Sequence, residues 1–585
     1  MLALDVSATL PLLSPRVFLT VRRRRHGDKA YEYLDVAESH RVQGKVRRRT
    51  LWTLGRRDQI DPHKIDALID LLRQLASPQG AGGVQIGELE MTAVREYGVS
   101  LVAQQLWREL GLDQLLARLP QSQSAPVSEA VFRMVVNRLC DPQSKLSLVD
   151  WEDERGNHHR GWQGQVHWPA GQQALDYNQY LRAMDRLHPH RAALEEALFD
   201  RTTNLLSLPL RLCFYDLTST YFEGDGVCEL AQYGYSRDHR DDRAQVVVGL
   251  AVTQEGLPIT HRVYPGATVD VATFVPMAEE LRQRFGLQEA VIVADRGMFS
   301  ADNVADLARA GQRYILALRS RQQTEGELAL ALAEAAKLPR PRAVDAPWER
   351  REVKLLEGVR HMVVYSAFKA RHDFEVRDRR LRRALPELHD LQARARREKL
   401  GVQRITERAT RILTAHKCAR YFQVEVKEGR LSFRLDRAEY RQQRRHDGVF
   451  VLETNHPELG TDEVVASYRQ LMEVERAFRV LKSLVKLRPI YHHRDRRVET
   501  HIFICFLAYL LAKVMEQRLR AAGLTISIAH ALETLAELKA VEYLWEGQST
   551  VVRRTKPAED VLAILDALGI ELGNPVLTVS PPAAA

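Results

Sequence analysis

The chain has 585 residues, 45% of them hydrophobic, with 85 Lys and Arg against 76 Asp and Glu for a net charge of +9. That excludes a disordered chain, gives room for about three or four domains, and favours a polyanionic partner wherever the basic excess clusters. Five cysteines without a Cys-x-x-Cys spacing fit a reducing cytoplasm, and the longest apolar run, 502–512, is too short to span a bilayer and ends at Lys513.

Residues 17 to 55 alternate at the strand period, interrupted by "HGDK" and "VQGK", and predict a small basic β-module. It holds the clusters "VRRRRHG" (21–27) and "KVRRRT" (45–50); "RDRRLRR" (377–383) and "ARARREK" (393–399) are two more. Taken singly, each is more often a solvated face than a binding site. Apolar residues at i, i+3, i+4 spacing predict helices over 61–75, 98–119 and 128–140, with the stretch from Gln79 to Gly83 as a hinge.

From residue 209, "PLRLCFYD" predicts a strand, and 244–254 with 257–266 a hairpin turning at Glu255-Gly256. A helix over 271–285, a buried strand over 289–295, a Ser300-capped helix over 300–310 and a strand over 313–320 follow. The order is βββαβαβ. Asp216 and Asp295 both stand where an apolar strand runs out, and ligands gather at the carboxyl ends of parallel strands in open sheets. The two acids are therefore expected side by side. Thr218 and Ser219 are expected to bond the backbone after the strand and hold the Asp216 loop, and Glu223 and Asp225 to be ordinary loop acids.

Further on, "YFQVEVKEGRLSFRLD" (421–436) predicts a hairpin turning at Glu428-Gly429. The stretch from 461 predicts one helix to about 485. At about 100° per residue, Leu471, Val474, Phe478, Leu481 and Val485 form a buried stripe, with Tyr468, Glu475, Arg479 and Lys482 on a second stripe beside it. Alone, Glu475 and Arg479 read as a surface i,i+4 pair. Together with two strand-end aspartates, Glu475 makes an all-oxygen set suited to Mg²⁺, and paired ions about 3.5–4 Å apart serve phosphoryl transfer. The flanking cations suit phosphates.

These residues carry a family resemblance. "YDLTST" with Asp216, "VIVADRGMF" with Asp295 and "YRQLMEVERAFRVLK" with Glu475 resemble the three signature blocks of DDE transposases of bacterial insertion sequences. More narrowly they resemble the group whose third block is Tyr-x-x-Arg-x-x-x-Glu-x6-Lys and whose ribonuclease-H-like α/β core is interrupted by a β-rich insertion. Tyr468, Glu475 and Lys482 match that pattern, whereas its arginine position is Leu471.

The resemblance implies a DNA transposase that cleaves element ends and transfers them into target DNA, cut-and-paste, through a hairpin on the element end. Asp216, Asp295 and Glu475 would bind two Mg²⁺, replaceable by Mn²⁺; Tyr468, Arg469, Arg479 and Lys482 would contact DNA, with Arg469 or Arg479 taking the duty of the missing arginine. A homodimer or larger synaptic complex and no membrane are expected, as is a bacterial cytoplasm with nucleoid association. Expected units are a basic β-module plus helix (1–78), a helical DNA-binding domain (84–205), a first segment of the catalytic core (206–320), a helical and β-rich insertion (321–447), a second segment of that core (448–520), and a C-terminal helical region with a loose tail (521–585). Some relatives stack a flipped base on an insertion tryptophan, but Trp348 is expected to be packed or surface.

Two rivals remain. "FYDLTST" also looks like the nucleophile block of haloacid-dehalogenase-like phosphatases, but the later acidic block they need is missing. A transposase-derived DNA-binding protein without cleavage is the other, against which the intact acidic trio argues. His158-His159 and His492-His493 lack zinc spacing and are expected at the surface or on phosphate.

Overall fold

The structure, a computed structural model, describes residues 17–26, 29–42, 45–56, 89–152, 175–206, 211–224, 228–298, 300–318, 333–335, 337–341, 343, 348–356, 359–545 and 549–580. The expected helix over 61–75, the hinge over 79–83, Asp225, the His158-His159 pair and residues 581–585 lie outside them.

The expected β-module forms: β1 (Val17–His26), β2 (Lys29–Val42) and β3 (Lys45–Arg56) make an antiparallel sheet in that order. Asp35, fully buried on β2, accepts from Arg22 Nε of β1 at 2.7 Å, which ties one of the module's basic residues to its neighbouring strand. After β4 (Leu89–Glu96), helices span Gly98–Glu109, Leu112–Ala117, Val127–Cys140, Lys145–Glu152, Tyr177–Leu187 and Arg191–Leu206. The expected continuous helix over 98–119 is thus broken in two.

The core follows the expected order. β5 (Leu212–Tyr221), β6 (Gln245–Thr253) and β7 (Pro258–Pro265) form a meander; then come the helix Val271–Phe285, β8 (Val291–Ala294), the helix Ala301–Arg309 and β9 (Tyr314–Ala317). Ser300 Oγ accepts the Asn303 N–H at 3.0 Å, as an N-cap should. β10 (Glu349–Leu356) and β11 (Val359–Tyr365) precede a 31-residue helix, Ala367–Arg397. The helix Val402–Ala415, the hairpin β12 (Phe422–Lys427) and β13 (Arg430–Leu435), the helix Arg437–Arg445 and β14 (Val449–Thr454) follow. The hairpin turns at Glu428 (φ 48°) and Gly429 (φ 70°), the two left-handed positions of a type I′ turn that Gly tolerates best.

The main sheet runs β10-β11-β14-β9-β8-β5-β6-β7, with β5, β8 and β9 mutually parallel and the other pairs antiparallel. The segment 321–447 therefore does not leave the sheet entire. Met362 and Val364 of β11 face one core and Val363 and Tyr365 another, so β11 is buried on both sides and extends the sheet. The stretch from Ala367 to Arg445 has its own core, built on Leu381, Leu388, Leu391, Ile405, Leu413 and Phe422.

Side chains alternate between two layers. Phe214, Val248, Leu250, Val291 and Val293 meet Val474, Phe478 and Leu481 on one face; Cys213, Tyr215, Val247, Ile292 and Ala294 meet Phe274, Met277 and Leu281 on the other. The helix Asp495–Ala521 is apolar all round over residues 502–512 because that stretch is enclosed all round. By length and composition it would pass for a membrane span, yet 94% of its apolar window is buried in the fold.

The C-terminal region differs from expectation. Besides helices Ile528–Leu535 and Glu559–Ala567 it contributes β15 (Lys539–Trp545), β16 (Ser549–Arg554) and β17 (Val576–Ser580), which with β4 form a sheet ordered β17-β16-β15-β4. The helical readings of 84–205 and 521–585 left out strands: β4 of the first pairs with β15 of the second, with Lys539 Nζ donating to Glu96 at 2.7 Å across the joint.

Candidate active site

Register places the two aspartates together. In the parallel β5–β8 ladder the last pair is Tyr215 with Ala294, so the next residue on each strand is aspartate, at one level on strands about 4.8 Å apart. Phe214 and Val293 lie on the layer that also holds Val474 and Phe478. Alternation turns Asp216 and Asp295 to that same side, toward the helix bearing Glu475.

Asp216 is not at the end of β5, which continues to Tyr221 paired with β6 alone. What ends there is β8. Thr218 and Ser219 are accordingly buried strand residues rather than props of a loop; Ser219 Oγ accepts the Arg237 N–H at 3.0 Å.

The expected single helix after 461 is two, Thr461–Arg469 and Met472–Ser483, joined by a tight turn in which Leu471 N–H donates to Tyr468 O. Leu471, Val474, Phe478, Leu481 and Val485 are all buried, as the stripe requires. At 7% exposure Leu471 is a core residue, so a basic side chain there would face the layer rather than a phosphate.

Burial, reinforced by the charges of Asp295 and Glu475, pushes the Asp216 carboxyl up to about 7, against the Leu217 N–H and Arg237. Partial desolvation and Asp295 likewise raise Glu475, against Arg479, although the residue is exposed on its helix. Tyr468 Oη donates to Asp295 Oδ1 at 3.0 Å. Its ring leans on Phe450, which meets Trp348 edge-on, and the Arg469 guanidinium lies 5.6 Å over the Trp348 ring. Trp348 is packed, as expected.

Lys482 is engaged within the chain. Its Nζ meets Asp238 Oδ1 at 2.8 Å, and Arg488 binds the same carboxylate. Burial lowers the lysine pKa, with Asp238 opposing. Arg237, next in sequence, pairs with Asp270 at 2.6 Å. Sequence reasoning gave Arg237, Asp238 and Asp270 no role, although the dense "SRDHRDDR" signalled that something needed charge at the first two. His492 is also corrected: it is 8% exposed, beside His501, where burial and the nearby Lys145 hold its pKa down at about 3.

Among the described residues no three His, Cys, Asp or Glu side chains are gathered tightly enough to hold a metal ion as they stand. Asp216, Asp295 and Glu475 are an all-carboxylate set, the donor chemistry a hard divalent cation takes.

A family model described as the transposase DDE domain matches residues 209–511, more than half of the chain and all three acids. Another, described as the N-terminal domain of IS1634 family transposases, matches residues 19–81, including the β-module. No curated protein matches. The chain belongs to the DDE transposases of insertion sequences, DNA-binding enzymes of the polynucleotidyl-transferase type that use divalent metal ions.

Proposed function

We propose that the protein cleaves DNA at the ends of its element and transfers the freed ends into target DNA, cut-and-paste, with Asp216, Asp295 and Glu475 as the catalytic acids. What supports this is the register: Asp216 and Asp295 follow the last β5–β8 pair side by side, on the face against which the helix bearing Glu475 packs. The three would hold two Mg²⁺, or Mn²⁺ in its place. When bound, such ions activate the attacking oxygen and stabilise the leaving one.

The chain's own residues do the rest. Asp216 must lose its proton to act as a ligand, and Arg237 favours that loss. Tyr468 fixes the orientation of Asp295 through its hydrogen bond. Arg479 and Arg469, both exposed, offer planar donors to DNA phosphates. Lys482 reaches a phosphate by exchanging Asp238, which keeps Arg488 as a partner. Two ends must be joined, so a homodimer or larger synaptic complex is expected.

The test is incubation of the full chain with labelled duplexes carrying the sequences that flank its gene, with Mg²⁺ or EDTA. Metal-dependent breaks at the element boundary leaving 3′-hydroxyls support the reading. DNA binding without any cleavage in Mg²⁺ or Mn²⁺ would contradict it.

A further inference from the structure

A cavity of about 240 Å³ lies beside the N-terminal half of the helix Ala367–Arg397. One wall is a single face of that helix, with Lys369, His372, Asp373, Arg377 and Arg380 at the three- and four-residue spacing of neighbours on a helix surface. Tyr421, which leads into β12, and Asp447, which leads into β14, supply the rest of the charge and polarity that the cavity meets. At this volume it falls below the roughly 300–1,000 Å³ of pockets for drug-sized molecules. Its occupant is therefore small.

Three of the side chains are cations and two are carboxylates, and both carboxylates are already engaged. Asp447 accepts from both terminal nitrogens of Arg377, at 2.7 Å from Nη1. Asp373 accepts from Lys369 Nζ at 3.1 Å and from the Gly448 N–H at 3.1 Å. Arg380 is left as the surplus positive charge, and His372 adds another when protonated.

What remains to meet a ligand is donors. Among the described residues, the Arg380 guanidinium, the His372 ring and the Tyr421 hydroxyl make no hydrogen bond or ion pair. Arg377 is 5% exposed, and its Nε, buried, meets no acceptor. A buried donor on a charged group costs free energy until an acceptor reaches it. One water would satisfy Nε but leave the surplus charge unbalanced, whereas an anion does both. His372 is exposed, so the cavity is open to water beside it.

We propose that this cavity binds one phosphate group, with Arg380, Arg377 Nε and the Tyr421 hydroxyl donating to its oxygens. A planar guanidinium matches the spacing of two phosphate oxygens, and the volume suits a tetrahedral ion better than a nucleoside. The site stands at the junction of the 367–445 segment with the main sheet, since Gly448, bonded to Asp373, also accepts the Ser366 N–H at 3.0 Å where β11 gives way to the long helix. Free phosphate and a phosphate of a DNA backbone present the same oxygens. The proposal does not depend on the DNA-cleavage reading.

The experiment is equilibrium dialysis of the full chain against radiolabelled inorganic phosphate, with ionic strength held constant by chloride. Wild type should bind one phosphate per chain saturably. Arg380→Gln and Tyr421→Phe should each weaken that binding about tenfold, as loss of a hydrogen bond to a charged group does. Both should melt like wild type without phosphate, because neither group is bonded to the rest of the chain. Adding an element-end duplex identifies the source. Displacement of the phosphate, with the salt slope of duplex binding lowered by about one in Arg380→Gln, supports a backbone phosphate; retained phosphate and an unchanged slope support the free anion. The site is overturned if wild type shows no saturable phosphate binding, and equally if binding is undiminished in the two variants.

Discussion

Tyr468→Phe removes the hydrogen bond to Asp295. It deletes the hydroxyl that donates to Asp295 at 3.0 Å and leaves the ring against Phe450, so the fold should be unaffected. A hydrogen bond to a charged group contributes about 1.5–3 kcal/mol, and partners that orient a metal-ligating carboxylate typically govern about 10- to 100-fold in metal affinity or activity. Tyr468 is only half-buried, so water can partly replace the hydroxyl and the low end applies, about tenfold. The assay is single-turnover cleavage of an element-end duplex titrated with Mn²⁺. The concentration giving half-maximal rate should rise about tenfold, the rate at saturation should largely recover, and the salt dependence of DNA binding should stay put. An unchanged metal requirement with a shallower salt slope would refute the reasoning and make Tyr468 a phosphate contact.

Other outcomes follow from the same geometry. The folded chain holds the Asp216 proton more tightly than the unfolded chain does, so metal-free stability should fall as pH rises from about 4 through about 7. Asp216→Asn should flatten that fall and raise the metal-free melting temperature at pH 8; a parallel pH–stability curve would contradict this. Lys482→Ala should weaken end binding and lower the salt slope by about one, and an unchanged slope with full activity would leave Lys482 as a structural partner of Asp238. Phe478→Ala empties a site that is 6% exposed beneath the Glu475 helix. It should cost about 3–5 kcal/mol by denaturant unfolding, and a cost under about 1 kcal/mol would show that the helix does not rest on that stripe.

The core elements could be read from sequence wherever local pattern and tertiary role agree. "VIVA" and "YILA" are apolar throughout because both faces are covered, and Ser300 caps its helix as its position suggests. The break between Arg469 and Met472 escaped because a tight turn leaves the apolar spacing almost unchanged, so the stripe was right although the helix was not continuous. The sheet joining β4 to β15 escaped because its partners lie hundreds of residues apart, where local periodicity carries no information. Asp216 and Asp295 could be paired from two apolar runs ending in acid, but the long reach of β5 depends on β6 and not on β8. Asp238 looked like one acid in a charged run; only packing shows it holding Lys482 and Arg488.

The most direct test of the three-acid site is the number of Mn²⁺ ions bound per chain, read by electron paramagnetic resonance on the full protein with an uncleaved element-end duplex. Two ions should bind wild type, while Asp216→Asn, Asp295→Asn and Glu475→Gln should each lose at least one and lose cleavage, with duplex affinity nearly intact. Full Mn²⁺ occupancy and full cleavage in any one of the three would remove that residue from the site, and the same result in all three would contradict the two-metal mechanism altogether.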